Sequence, residues 1–195
     1  MMTSNIKIVE KPDQPMAMNP KKFALWLFII TVVMIFAALT SAYIVRQAEG
    51  NWRFYELPVE FYYTTGIIIL SSVTMQWAYL AAKRDELEQV KIAISITTVL
   101  GILFLLGQIY AWGVLLDMKV NFTGGNPSES FLYVLTGIHG LHLVSGVIFL
   151  IIVLISTFKY KVHSKNLNQI QMCATYWHFL DILWVYLFLF LLLNN

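Results

Sequence analysis

Three histidines and one aspartate interrupt the apolar stretches of this chain, and any chemistry it performs must start from them. The segment Tyr176-Trp177-His178-Phe179-Leu180-Asp181-Ile182-Leu183-Trp184 sets an imidazole and a carboxylate three residues apart. At helical spacing they are neighbours on one face, flanked by Trp177 and Trp184. A second segment, Thr136-Gly137-Ile138-His139-Gly140-Leu141-His142-Leu143-Val144-Ser145-Gly146, puts His139, His142 and Gly146 on one face. Its Gly137 and Gly140 are positions where another helix can approach closely. A charge within an apolar helix costs roughly 2.5–3.5 kcal/mol on insertion scales, so Asp181 needs a partner, and the His178 imidazole is the expected one. Two chemistries are open from the spacing. His139, His142 and His178 are candidate ligands of a metal or haem, or they hydrogen-bond across helices in a solvent where apolar contact alone does not drive helices together. A dimetal carboxylate site in a bundle draws on several glutamates, and none falls inside the apolar stretches, which favours the second reading.

Two lesser constellations bear on the same question. Gln108 and Trp112 stand one turn apart in Gln108-Ile109-Tyr110-Ala111-Trp112, where contact with a polar stripe on another helix is the expected role. Arg46 ends an apolar run, where it can reach a lipid phosphate or pair with Glu49. Cys173 is the sole cysteine, which rules out an intramolecular disulfide and leaves packing as its role.

These residues must be positioned by membrane helices. The chain has 195 residues, of which 58% are hydrophobic and only 12% charged, with a mean hydropathy of +0.68. No soluble domain of this size has that composition. Five segments are long enough to cross a bilayer: 23–45, 61–82, 92–116, 130–158 and 170–193, the last interrupted only by Asp181. The expected fold is therefore all-α, an integral bundle of five transmembrane helices over 22–195 behind an N-terminal tail of residues 1–21. Lys and Arg mark the cytoplasmic side of such a bundle. Ten of the 13 fall in the tail (Lys7, Lys11, Lys21, Lys22), the second loop (Lys83, Arg84, Lys91) and the fourth (Lys159, Lys161, Lys165). Arg46, Arg53 and Lys119 share the other side, so the N-terminus is expected in the cytoplasm and the C-terminus outside.

The first 22 residues are polar or mixed, and the apolar run after them is too long for a signal-peptide core, so the first helix is expected to persist in the mature protein. Pro12, Pro15 and Pro20 oppose a regular helix before Lys21, and Pro20 with Lys21 and Lys22 marks a headgroup boundary. Thr123-Gly124-Gly125-Asn126-Pro127-Ser128-Glu129 is turn chemistry, with Ser128 the expected cap of the fourth helix. Trp52, Phe54, Tyr55, Phe61, Tyr62 and Tyr63 read as interfacial anchors. There is no internal repeat, and an odd helix count disfavours inverted halves of the kind many transporters use.

The two histidine-bearing segments, together, resemble the signature stretches of haem-copper oxidase subunit III. The likeness extends to Trp26-Leu27-Phe28, Met34-Ile35-Phe36-Ala37 and Ala42-Tyr43 in the first span and Ser71-Ser72-Val73-Thr74-Met75-Gln76-Trp77-Ala78 in the second. The resemblance implies a subunit of a proton-pumping respiratory oxidase that reduces dioxygen to water. It further implies that this chain is noncatalytic and holds no cofactor, the haems and copper belonging to subunits I and II. Its implied roles are packing against subunit I, phospholipid binding, support of sustained proton uptake and resistance to inactivation during turnover. On that resemblance His139, His142, His178 and Asp181, with Gln108, Trp112, Trp177 and Trp184, form a structural polar network. The implied location is a prokaryotic plasma membrane, and the electron donor is cytochrome c or, alternatively, quinol. A self-sufficient haem or metal protein is the rival. The chain departs from the family pattern at Val32, Ala111 and Gln171, where members often carry glutamate. Members with seven helices have two more at the N-terminus that help form a lipid-filled cleft, which in this chain either a partner closes or lipid occupies.

Overall fold

The computed structural model describes residues 19–120, 122, 125–158 and 167–194. The tail prolines Pro12 and Pro15, Lys7 and Lys11, the loop residues Thr123 and Gly124, and the fourth-loop Lys159, Lys161 and Lys165 lie outside the described residues. Within them the chain is all helix: α1 (Pro20–Ala48), α2 (Glu60–Lys83), α3 (Leu87–Asp117), α4 (Pro127–Phe158) and α5 (Asn168–Asn194). Each is long and apolar enough to cross a membrane, and the protein is a multi-pass membrane protein. The helices outrun the charge-free stretches at their ends because a helix continues into the headgroup zone. In α3 that first turn carries the Glu88–Lys91 ion pair at 2.8 Å.

Helix starts and stops follow local chemistry. Both α1 and α4 begin with Asn-Pro. Asn19 Oδ1 accepts the Lys21 N–H at 3.1 Å, with Pro20 as the first helical residue. At α4 the cap is Asn126, not Ser128 as expected: Asn126 Oδ1 accepts from the Ser128 backbone N–H at 3.1 Å and from its hydroxyl at 2.8 Å. Pro127 already fits the first helical position, which pushes Ser128 inside the helix. The helices α2 and α3 end in Schellman motifs. The N–H of Glu86 reaches Ala81 O at 3.1 Å and that of Val120 reaches Leu115 O at 3.0 Å. The left-handed residue is Asp85 in one and Lys119 in the other.

Packing sorts the five into two groups. The helices α2, α3, α4 and α5 close a four-helix ring, each touching the next, while α1 lies outside it against α4 and α5 only. That is why α1 buries a single narrow stripe, Ile29, Val32, Phe36, Thr40 and Tyr43, and turns the rest of its surface to lipid. Its far end is tied down: the Tyr43 hydroxyl and Gln47 Nε2 both donate to Asn194 O, at 3.2 and 2.9 Å.

Glycines set the closest approaches, though not the pair anticipated. A Cβ on Gly140 would meet nothing within 4 Å and one on Gly137 only the tip of Trp112 at 4.0 Å. The contacts are instead at Gly146, against Leu180 at 2.8 Å, at Gly101, against the Trp177 ring at 2.6 Å, and at Gly107, against Thr64 at 2.6 Å. On α4 the face that meets α5 is the one bearing Gly146, and Gly137 and Gly140 lie away from it.

Over one end of the bundle, the segment 49–59 is clasped to the α3–α4 turn. Arg53 Nη1 donates to Glu129 Oε1 at 2.9 Å and to Lys119 O at 3.3 Å, and the Tyr55 hydroxyl donates to Ser128 O at 3.4 Å. Burial holds the Tyr55 phenol well above its ordinary range, with nearby Tyr43 and Glu129 adding to the effect. Glu129 is nearly inaccessible while Arg53 is half exposed. Arg53→Met is therefore expected to cost about 1–2 kcal/mol, less than breaking a fully buried pair, because Arg53 is partly screened and Glu129 keeps other contacts. Thermal unfolding in detergent should show the loss, shrinking as salt is raised.

Candidate functional site

The intramembrane polar residues fall into separate groups, each made by two or three neighbouring helices. The commonest device is an N–H given to a hydroxyl whose own hydrogen returns to a carbonyl of its helix. Trp177 Nε1–H donates to Ser71 Oγ at 3.1 Å, and Ser71 to Ile68 O at 2.8 Å. Trp184 donates to Thr65 at 3.0 Å, and Thr65 to Phe61 O at 2.6 Å. Trp112 donates to Thr136 at 3.2 Å, and Thr136 to Leu132 O at 2.8 Å. Gln108 Nε2 donates to Thr64 at 2.9 Å, and Thr64 to Phe61 O at 3.1 Å. A hydroxyl suits the task because it accepts and donates at once, so neither helix is left with an unsatisfied group in hydrocarbon. Gln108 and Trp112, one turn apart on α3, thus serve different helices, α2 and α4.

The histidines are not gathered. His139 is fully buried, its ring 5.1 Å from that of Trp184, 6.3 Å from Phe104 and 6.4 Å from Phe36. Neither of its nitrogens has a hydrogen-bond partner among the described residues. His142 gives its Nδ1 hydrogen to Ile138 O at 2.8 Å on its own helix, and its ring lies against Phe28 and Phe36. Beside it the Tyr176 hydroxyl meets Ser145 Oγ at 2.7 Å. His178 belongs to the α2–α5 seam, where Nδ1 is 2.7 Å from the Ser72 hydroxyl and Nε2 is 3.3 Å from Gln76 Oε1.

The expected pairing of His178 with Asp181 is not made. Both Asp181 oxygens lack a hydrogen-bond partner among the described residues. Ser72 neighbours the carboxyl, but its hydroxyl lies on His178. Successive turns of α5 explain this: His178 is rotated toward the outer edge of the seam and Asp181 toward its interior. At the opposite end of the structure Arg46 pairs with Glu49, both substantially exposed.

A metal or haem would need these side chains to converge on an open position. Among the described residues no three of His, Cys, Asp or Glu are grouped to hold a metal ion. The space beside His139 is filled by three aromatic rings, so the residues do not fit such a group. The hydroxyls Thr64, Thr65, Ser71 and Ser72, with Gln76, were not singled out as site residues from spacing. Their signal was present in the sequence as a pair of hydroxyls recurring after seven residues on α2.

A family model for cytochrome c oxidase subunit III matches residues 12–194. The chain belongs to that family. It is 30% identical over 169 residues to cytochrome c oxidase subunit 3 of Corynebacterium diphtheriae, covering 83% of this chain and 82% of the relative. It is 32% identical over 161 residues to a probable cytochrome c oxidase subunit 3 of Mycobacterium bovis, covering 80% and 79%. A probable quinol oxidase subunit 3 of Staphylococcus saprophyticus is 28% identical over 176 residues, with 87% of each chain covered. The chain is thus a subunit III of a terminal oxidase. For an oxidase subunit III the three departures from the family's glutamates have clear local settings. Val32 and Ala111 are buried among apolar neighbours, and Gln171 accepts a hydrogen bond from Lys22 Nζ at 2.8 Å.

Proposed function

We propose that this subunit III is the noncatalytic scaffold of its oxidase, packed against subunit I in a prokaryotic plasma membrane. Its N-terminus is cytoplasmic and its C-terminus external, following the basic residues. The redox centres lie in subunits I and II, and the chain itself supplies no cofactor ligand. One observation carries this reading: the intramembrane indoles and Gln108 are committed to hydroxyls on neighbouring helices, and His139 is walled in by rings. His139, His142, His178 and Asp181 act in the architecture.

The scaffold supports sustained proton uptake by holding subunit I, without a glutamate relay of its own, since Val32 and Ala111 offer no proton-carrying group. Lipid binding has a candidate setting between α1 and α5. There Val33, Ala37, Phe179, Ile182 and Tyr186 border a groove of about 370 Å³ that is apolar throughout. Arg46 is a candidate headgroup contact once it exchanges Glu49 for a phosphate. Cytochrome c is the proposed donor. Quinol is the second reading, favoured by the name of the Staphylococcus relative, and assay of the purified oxidase with each donor separates them.

The test is to purify the oxidase in mild detergent, record its reduced-minus-oxidised spectrum, and repeat after releasing this chain. The expected result is a colourless released chain, with haem bands and oxygen consumption remaining on the larger subunits. Retention of haem or stoichiometric metal by the released chain would overturn the scaffold reading and restore the histidines as ligands.

A further inference from the structure

The α2–α5 seam carries a feature that packing within this chain does not explain. Gln76 is exposed, seven residues before Lys83 at the end of α2, about 10 Å inside that end at the 1.5 Å rise of a helix. His178 is ten residues into α5, about 15 Å from its start. Serine and threonine facing lipid can return their hydrogen to a carbonyl one turn back, as Thr31 does to Leu27 O at 3.0 Å. No such return is made by the Gln76 carboxamide. Its described partner is His178, which occupies one end of the amide and leaves the other facing out of the seam.

The bonds along the seam have a direction. In the neutral ring that fits both contacts, the Ser72 hydroxyl donates to His178 Nδ1 at 2.7 Å and His178 Nε2–H donates to Gln76 Oε1 at 3.3 Å. The chain therefore ends in the Gln76 N–H2 group, polarised by the two bonds behind it. Asp181 stands at the inner end beside Ser72, 4% exposed and without a donor. Around Gln76 the surface is apolar and open, formed by Ile69, Val73, Leu80 and Ile182. The outward faces of α3, with Leu103, Leu106 and Ile109, and of α4, with Ile148, Ile152 and Ile155, are exposed hydrocarbon with no comparable amide.

We propose that this seam is the docking face for a transmembrane helix of another oxidase subunit, and that Gln76 donates to a hydroxyl, carboxamide or backbone carbonyl on that helix. The inference rests on the reading that the chain works inside the oxidase. A phospholipid does not suit the seam: its acyl chains have no acceptor at this depth, and its ester carbonyls lie at the interface. A helix supplies both an acceptor and apolar surface for Val73 and Ile182, and an interhelical hydrogen bond is how membrane helices fix register.

The experiment uses the intact oxidase in native membranes. A benzophenone side chain placed at position 73, beside Gln76, is photolysed, and its product is identified by mass spectrometry; position 109 on the outward face of α3 serves as control. The expected result is a cross-link from 73, and not from 109, to another subunit of the oxidase. In parallel, Gln76→Leu should reduce retention of this chain on the purified oxidase by about threefold to tenfold, the range of a membrane hydrogen bond. Unfolding of the isolated chain should be unchanged, because Gln76 faces outward. Cross-links from 73 to lipid alone or to a second copy of this chain, or to another subunit only from 109, overturn the docking face while leaving the scaffold reading intact. Unaltered retention of Gln76→Leu removes the role of the amide. A wild-type chain that copurifies with no haem-bearing subunit defeats the scaffold reading and this inference together.

Discussion

Gly101→Val should expel the Trp177 indole from the centre of the bundle. A Cβ at position 101 would lie 2.6 Å from the ring's outer carbon and 3.0 Å from the next, and 3.3 Å from Val147. Branching adds two methyl groups in the same crowded space. The ring cannot retreat without losing its Nε1 bond to Ser71 at 3.1 Å and its contact with Gly146 on the other side. Overpacking of a well-filled core costs up to about 3 kcal/mol, and the abandoned hydrogen bond adds about 0.6 kcal/mol at the average for membrane helices. Unfolding of the purified chain in a denaturing-detergent titration is the measurement. Gly140→Ala is the control: its Cβ meets nothing, and its stability should be unchanged or slightly raised, since alanine is the better helix former. Equal tolerance at 101 and 140 would mean that α3 and α5 are not as close as described.

Trp184→Ala is the second large effect. Trp184 is fully buried, stacked on Phe61 at 6.0 Å, edge-on to Phe104 at 5.0 Å and against His139 at 5.1 Å. Removing it opens a cavity bordered by α2, α3 and α4. In a soluble core this substitution costs about 3–5 kcal/mol. In a bilayer the separated helix keeps its side chains in an apolar solvent, so the transfer part falls away and the lost contacts and cavity remain. The expected loss is about 2–3 kcal/mol, read from the same titration. His139 also loses the ring nearest to it, so Trp184→Ala should open this buried imidazole to water, visible as faster exchange of its ring hydrogens by NMR. Trp184→Phe should recover most of the stability without the bond to Thr65. The order wild type, Phe, Ala is the signature of a packing role.

The same physical difference explains what could be seen in the chain before it was folded. Helix number and approximate position were legible because hydropathy is a property of a single segment: a bilayer demands about 20 apolar residues whatever their neighbours. The start of α1 at Pro20 was legible as well, since a proline at the first helical position acts through its own ring. The same signal, in Asn126-Pro127, was outweighed by Ser128, and the cap went to the wrong residue. The close approaches were harder. Gly137, Gly140 and Gly146 look alike in sequence, yet only Gly146 meets α5, because rotation of α4 about its axis is set by which neighbours it packs on.

The partners of polar residues needed the most tertiary information. That Asp181 and His178 share a region of α5 follows from their spacing. That His178 bonds α2 through Ser72 and Gln76 while Asp181 turns inward depends on the few degrees separating consecutive turns at a seam between two helices. Likewise Gln108 and Trp112 read as one constellation but reach Thr64 on α2 and Thr136 on α4. The sequence by itself determined that this protein is a five-helix membrane bundle of the subunit III family, because apolar length and the two histidine-bearing segments are local signals. The tertiary structure alone decided that α1 stands outside a ring of four helices, that Trp177 fits between Gly101 and Gly146, and that the polar chain from Ser72 emerges at Gln76. Those depend on helix rotation and neighbour order, which arise only when all the side chains pack at once.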